Sequence, residues 1–120
     1  MENKDKLLEF FESIEIHKED QQKILHCIEA HDGRVPAETI EAKIVHDADT
    51  LEKMGPLGVI RETWKRAQIG LNTEKIIEHL KTHLEKRESR LHTTDAKERA
   101  KRLNEKLKSF FETIDNQLRE

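Results

Sequence analysis

Apolar residues recur at steps of three and four along most of this chain, and that spacing predicts helices. The clearest apolar stripe belongs to a last helix that begins near Asp95. The stripe consists of Ala96, Ala100, Leu103, Leu107, Phe110 or Phe111, Ile114 and Leu118. Such a stripe can pack within the domain or against a second chain.

Glycine and proline mark the ends of the other predicted helices. There are only four glycines and two prolines, and no run of alternating β-branched residues indicates a strand. Earlier helices are predicted at about 4–14, 18–31, 57–69 and 73–90, with another between Pro36 and Gly55. Pro36 suits the first turn of that helix, and Gly55 suits a left-handed C-cap before Pro56. The pattern predicts an all-α fold, an irregular bundle of about five or six helices in a single domain, 1–120.

Composition and charge narrow the range of functions. The chain is 34% hydrophobic and 39% charged, with a net charge of −3 and interleaved signs. A nucleic-acid or anionic-membrane surface is therefore not expected. The single cysteine, Cys27, excludes an intrachain disulfide and is expected to be a small core residue of a cytoplasmic protein. No apolar run is long enough for a signal peptide or a transmembrane helix.

Candidate chemistry begins with His46, Asp47 and Asp49, three polar side chains within four positions. Residues two apart on a helix differ by about 200° in direction, so Asp47 and Asp49 are not expected to reach one site. At most one should point inward. The other should cap a helix, pair with a cation or face water. From the residues alone, two solvated carboxylates is the favoured interpretation.

Other candidate residues have ordinary structural explanations. His79 and His83 have a four-residue spacing that can chelate zinc, but Leu80 stands where a zinc protease has glutamate, so a solvated face is favoured. Trp64 is expected to pack partly buried. Arg61 could contact a phosphate bidentately, or could bond a helix end or Asp47, and both interpretations remain open.

The stretch DADTLEKMGPLGVIR, residues 47–61, resembles the second half of the HD-domain metal-dependent phosphohydrolase superfamily. The matching positions are Asp47, Ala48, Asp49, Leu51, Glu52, Gly55, Leu57, Gly58 and Arg61. The upstream stretch ILHCIEAHDG is similar to the segment that brings a histidine, here His31, to the rim of the site. The downstream Thr-x-x-Ala turn and long last helix are similar to the family's closing element, so the resemblance covers nearly all 120 residues.

The resemblance implies that Asp49 holds a divalent metal ion whose bound water attacks a phosphoester. It also implies that Arg61 contacts the phosphate of a phosphorylated small molecule and that His31 lies at the rim of the site. The family's earlier ligands, a histidine and an adjacent His-Asp pair, belong before the stretch LLEFFESI. Neither His31-Asp32 nor His46-Asp47 stands at that position.

Because the family's earlier metal ligands have no counterparts at the expected positions, two functional interpretations follow. In the first, the chain is a relative of HD phosphohydrolases that is incomplete and inactive alone, binds metal weakly or not at all, and needs an N-terminal half. In the second, it is a non-catalytic helical module for oligomerisation or interaction. The expected partner is a second copy of the chain or a missing N-terminal half, and a homo-oligomer would use the helix around Leu7 to Ile14 or the stripe between Leu103 and Leu118.

Overall fold

The computed structural model describes residues 3–120, and every regular element in this range is helical. The elements are α1 (Lys4–Ser13), α2 (Lys18–Ala30), α3 (Ile40–Glu52), α4 (Gly55–Gln68), α5 (Thr73–His83), a 3₁₀-helix (Glu85–Arg90) and α6 (Thr94–Arg119). The predicted all-α irregular bundle is confirmed. None of the described helices is both long and apolar enough to cross a membrane.

The chain divides into two compact units, Met1–His46 and Asp47–Glu120, and the division falls within α3. In the first unit, the turn between α1 and α2 is held by Gln21, which is buried. Its side-chain amide donates to the Glu12 carboxylate at 3.0 Å and to the Ile16 carbonyl at 2.7 Å. Cys27 on α2 is half-buried and has a free thiol.

The second unit has two clusters of buried apolar side chains along α6. One cluster joins α5 to the second half of α6, through Ile76, Leu80, Leu84, Leu107 and Phe111. The other lies at the start of α6, through Met54, Leu91, Ala96 and Ala100. The α6 stripe therefore packs mostly within this unit, whereas Phe110 and Leu118 are exposed.

Several helix ends differ from the sequence-based expectations. The prediction that Pro36 lies in the first turn of α3 is wrong, since α3 begins at Ile40 and the Thr39 hydroxyl accepts from the Ala42 amide at 3.1 Å. The left-handed conformation predicted for Gly55 is confirmed, with φ of 64°, although α3 has already ended at Glu52 and Gly55 begins α4. The fifth helix ends at His83, because the chain then tightens into the 3₁₀-helix.

Candidate functional site

Asp49, the residue expected to bind metal, is paired with Lys53, which directly follows α3. Its carboxylate accepts a hydrogen bond from the Lys53 ammonium, one helical turn later, at 2.7 Å. About a third of each side chain or more remains exposed, at 30% for Asp49 and 44% for Lys53. An ion pair this open contributes little to stability, and a competing cation could displace the lysine.

The other two predicted site residues also have local partners. Arg61 on α4 lies 3.6 Å from the side-chain carboxylate of Glu52, a partner that is neither a helix end nor Asp47. The imidazole of His31 is exposed, and its Nδ1 donates to the Ile28 carbonyl at 2.5 Å. His31 belongs to the first unit, whereas Asp49 and Arg61 belong to the second. Within the second unit, Asp49 and Arg61 pair with different residues, Lys53 and Glu52.

Asp47 is the buried carboxylate of the pair, which corrects the interpretation of two solvated carboxylates. Only 3% of this residue is exposed. Its two oxygens accept from the backbone amides of His92 and Thr93 at 2.9 and 2.8 Å. Thr93 in turn caps α6, because its hydroxyl accepts from the Ala96 amide at 3.3 Å. Asp47 thus fixes the segment that starts α6, and this is a structural role.

The most elaborate polar cluster surrounds Glu62, on the inward side of α4. Glu62 is 5% exposed, and its carboxylate accepts hydrogen bonds from three cationic or polar groups. The guanidinium of Arg87 donates at 3.0 Å, the imidazole Nε2 of His79 at 3.1 Å, and the guanidinium of Arg66 at 3.3 Å. The Arg87 guanidinium also donates to the Lys53 carbonyl. The Glu62 carboxylate therefore connects α4 with α5 and the 3₁₀-helix, and Arg87 extends the cluster to Lys53, directly after α3.

The environment of Glu62 keeps its carboxyl group ionised. Burial by itself raises the pKa of Glu62, but the hydrogen bond and charge of Arg87, then the bonds from His79 and Arg66, outweigh burial and lower the pKa below its ordinary value. A carboxylate held in this way, with each oxygen engaged, is typical of a structural ion-pair network. It is not poised to accept a proton from a substrate near neutral pH.

The expectation of a solvated face for His79 and His83 is wrong for His79, which is half-buried against Glu62. The two imidazole rings lie with their centroids 4.3 Å apart. Desolvation and then the neighbouring His79 lower the pKa of His83. Because the Nε2 of His79 already faces Glu62, the pair does not present a two-histidine zinc site.

In the second unit, the candidate metal ligands that lie close together are Asp47 and His92. Each presents a side-chain atom able to coordinate an ion, and these atoms lie within 4.8 Å of each other. Two ligands do not fix the geometry of a transition-metal or magnesium centre. This pair also leaves out Asp49, which carries the resemblance to the phosphohydrolases.

Comparisons with protein-family models, with curated proteins and with solved structures found no match for this chain. The relation to HD phosphohydrolases therefore stays a prediction from the residues of the 47–61 stretch.

Trp64 departs furthest from its sequence-based expectation. It was expected to pack partly buried, but 67% of it is exposed. Leu57 and Ile60 precede it on the same helix and are 48% and 67% exposed. These three side chains, which we call the α4 face, form an apolar surface on the opposite side of α4 from Glu62.

Proposed function

We propose that this chain is a helical interaction module whose ancestry lies with the HD phosphohydrolases and which acts by associating with other polypeptides. The observation that carries the proposal is the apolar surface left open to solvent. Large apolar side chains are exposed on α1, α4 and α6, namely Phe10, Ile14, Leu57, Ile60, Trp64, Phe110 and Leu118. Contiguous apolar patches mark interaction sites on soluble proteins, and within the second unit the exposed residues of α4 lie on one side of that helix.

The polar residues support the same proposal. Metal-assisted phosphoester hydrolysis needs an ion held by several ligands and donors placed on the phosphate. Asp49 instead holds Lys53, and Arg61 faces Glu52. The most buried carboxylates, Asp47 and Glu62, are bonded to groups that maintain the fold.

Self-association is the direct test of this module. We expect the 120-residue chain to sediment as a dimer or larger species at micromolar concentration. Phe10→Ser and Phe110→Ser, on α1 and α6, should shift the equilibrium towards monomer, because each removes an exposed apolar side chain that association would bury. Thr113→Ser, an exposed and nearly isosteric change on α6, serves as the control. A wild-type chain that stays monomeric across a hundredfold range of concentration would contradict self-association.

A second candidate function keeps Asp49 as the ligand of a divalent ion in an HD-type phosphohydrolase, completed by residues of a second polypeptide. This second candidate is favoured by the exposure of its two site residues. Asp49 is 30% exposed and Arg61 is 52% exposed, so both side chains could turn away from their present partners. In such an enzyme the ion would activate the attacking water, Arg61 would bind a phosphate oxygen, and His31 would lie at the rim.

Hydrolysis assays separate the two candidates. We expect the chain alone to release negligible phosphate from a phosphomonoester, a nucleotide or a cyclic dinucleotide with Mg²⁺, Mn²⁺ or Ni²⁺, because one carboxylate does not hold the ion. Asp95→Ala is a matched control for Asp49→Ala, since Asp95 also pairs with a cation four residues later, Arg99, at 3.2 Å. Turnover that is lost in Asp49→Ala and kept in Asp95→Ala would establish the phosphohydrolase.

A further inference from the structure

The α4 face has the form of a helix-docking surface. Leu57, Ile60 and Trp64 are spaced by three and four residues, so they lie on one side of α4. From the first to the last is seven residue steps, about 10 Å along the helix axis. Trp64 is the only tryptophan in the chain and is two-thirds exposed, and tryptophans in such positions are frequent anchors of interfaces.

A cavity of about 490 Å³ lies beside this face. It is lined by Lys53, Ile60, Arg61, Glu62, Trp64 and Lys65. Its volume is within the range of small-molecule binding sites.

The charges beside the α4 face are mainly positive. Arg61 and Lys65 are four residues apart, so both lie on the same flank of the apolar side chains. The single carboxylate of the lining, Glu62, is already bonded to two guanidinium groups, Arg87 and Arg66. Arg61 meets Glu52 only at 3.6 Å, in a pair that is more than half exposed on each side. This flank is therefore available to carboxylates of a partner.

Resting on the proposed function as an interaction module, we infer that the α4 face binds an acidic amphipathic helix of another protein. Apolar side chains spaced three and four residues apart on that helix would cover Leu57, Ile60 and Trp64, and a row of Asp or Glu along one flank would face Arg61 and Lys65. An antiparallel pairing with α4 of a second copy is disfavoured, because it would bring the two basic flanks together. A nucleic-acid backbone has no apolar side chains to cover the face.

Two matched peptides test the inference on the full chain. The first is a synthetic amphipathic helix with leucine at every third or fourth position and glutamate along one flank, and the second has lysine in place of each glutamate. Calorimetry should give one saturable site for the acidic peptide, and about tenfold or more weaker binding for the basic peptide. The emission of Trp64, the sole tryptophan, should move to shorter wavelength as the acidic peptide covers it.

Variants of the chain test whether the acidic peptide binds at the α4 face. Lys65→Glu should reverse the preference between the peptides, and Ile60→Ser should weaken the acidic peptide about tenfold. Lys97→Glu, a charge reversal at an exposed position of α6 outside the cavity lining, should change neither affinity. Circular dichroism on each variant establishes that its helices are retained.

The outcomes that would overturn the inference differ from those that would overturn self-association. Equal binding of both peptides, no binding, or acidic binding unchanged in Lys65→Glu and Ile60→Ser would refute docking at the α4 face. Trp64 emission could instead shift as the concentration of the chain itself rises. If that shift were abolished in Ile60→Ser, the occupant of the α4 face would be a second copy, and the inference would also be overturned. A monomeric chain that binds only the acidic peptide would refute self-association and leave docking intact.

Discussion

Replacing Glu62 by glutamine is expected to lower the free energy of unfolding by about 3–5 kcal/mol. The amide can still accept hydrogen bonds but carries no charge, so the guanidinium of Arg87, 13% exposed, loses its counter-ion. Arg66 and His79 lose the same partner. Urea unfolding at neutral pH, followed by the helical signal in circular dichroism, measures the change.

Glu52→Gln is the matched control for this prediction. Glu52 also faces an arginine, Arg61, but at 3.6 Å and with both side chains more than half exposed. Its replacement should cost less than about 1 kcal/mol, as is usual for exposed pairs. If the two variants lost equal stability, the Glu62 cluster would not be the ion-pair centre of the second unit.

The pH dependence gives an independent check on Glu62. Since its pKa in the folded state lies below the ordinary 4.5, the stability that its ionised form contributes is complete above 4.5. This contribution is lost as the pH falls through the lower, folded-state pKa. The stability difference between wild type and Glu62→Gln should therefore shrink in that acidic range and stay constant between pH 5 and 7.

Local patterns predicted the helices of this fold, because helix formation depends on contacts three and four residues apart. The α6 stripe is the clearest case, since its buried members Ala96, Ala100 and Leu107 were predicted from spacing alone, whereas spacing left open whether Phe110 or the buried Phe111 belongs to the stripe. The prediction that α3 begins at Pro36 was wrong, because the restricted φ of proline suits loops as well as the first turn of a helix. The residue that caps the start of α3 is Thr39.

The polar clusters were harder to predict, because their partners are distant in sequence. Glu62 contacts His79 and Arg87, which lie 17 and 25 residues away, and only its i+4 neighbour Arg66 could be inferred locally. Asp47 bonds amides 45 and 46 residues away. A signal was present in both cases. Glu62 follows Val59 by three and Asp47 precedes Leu51 by four, so each carboxylate stands where the inward side of a helix would otherwise be apolar.

Gly58, one of the positions shared with the phosphohydrolase pattern, is required by a close approach within the second unit. A Cβ at this position would lie 2.3 Å from the backbone oxygen of Lys53 and 3.2 Å from a methyl group of Leu84. The Lys53 carbonyl also accepts a hydrogen bond from Arg87, so it cannot withdraw without disturbing the arginine that holds Glu62. Glycine here thus allows the start of α4 to pack against the end of α3.

Gly58→Ala is therefore expected to destabilise the protein by about 3 kcal/mol, at the upper end of the usual cost of overpacking. The sign of the change in the free energy of unfolding is informative, because a glycine-to-alanine change inside an unobstructed helix stabilises by about 1 kcal/mol. Gly70→Ala is the control. Gly70 has a φ of 92° but no atom within 4 Å of the added Cβ, so it should lose only the backbone strain of about 1–2 kcal/mol. Thermal and urea unfolding of both variants measure the difference, and a Gly58→Ala protein as stable as wild type would show that α3 and α4 can separate at no cost.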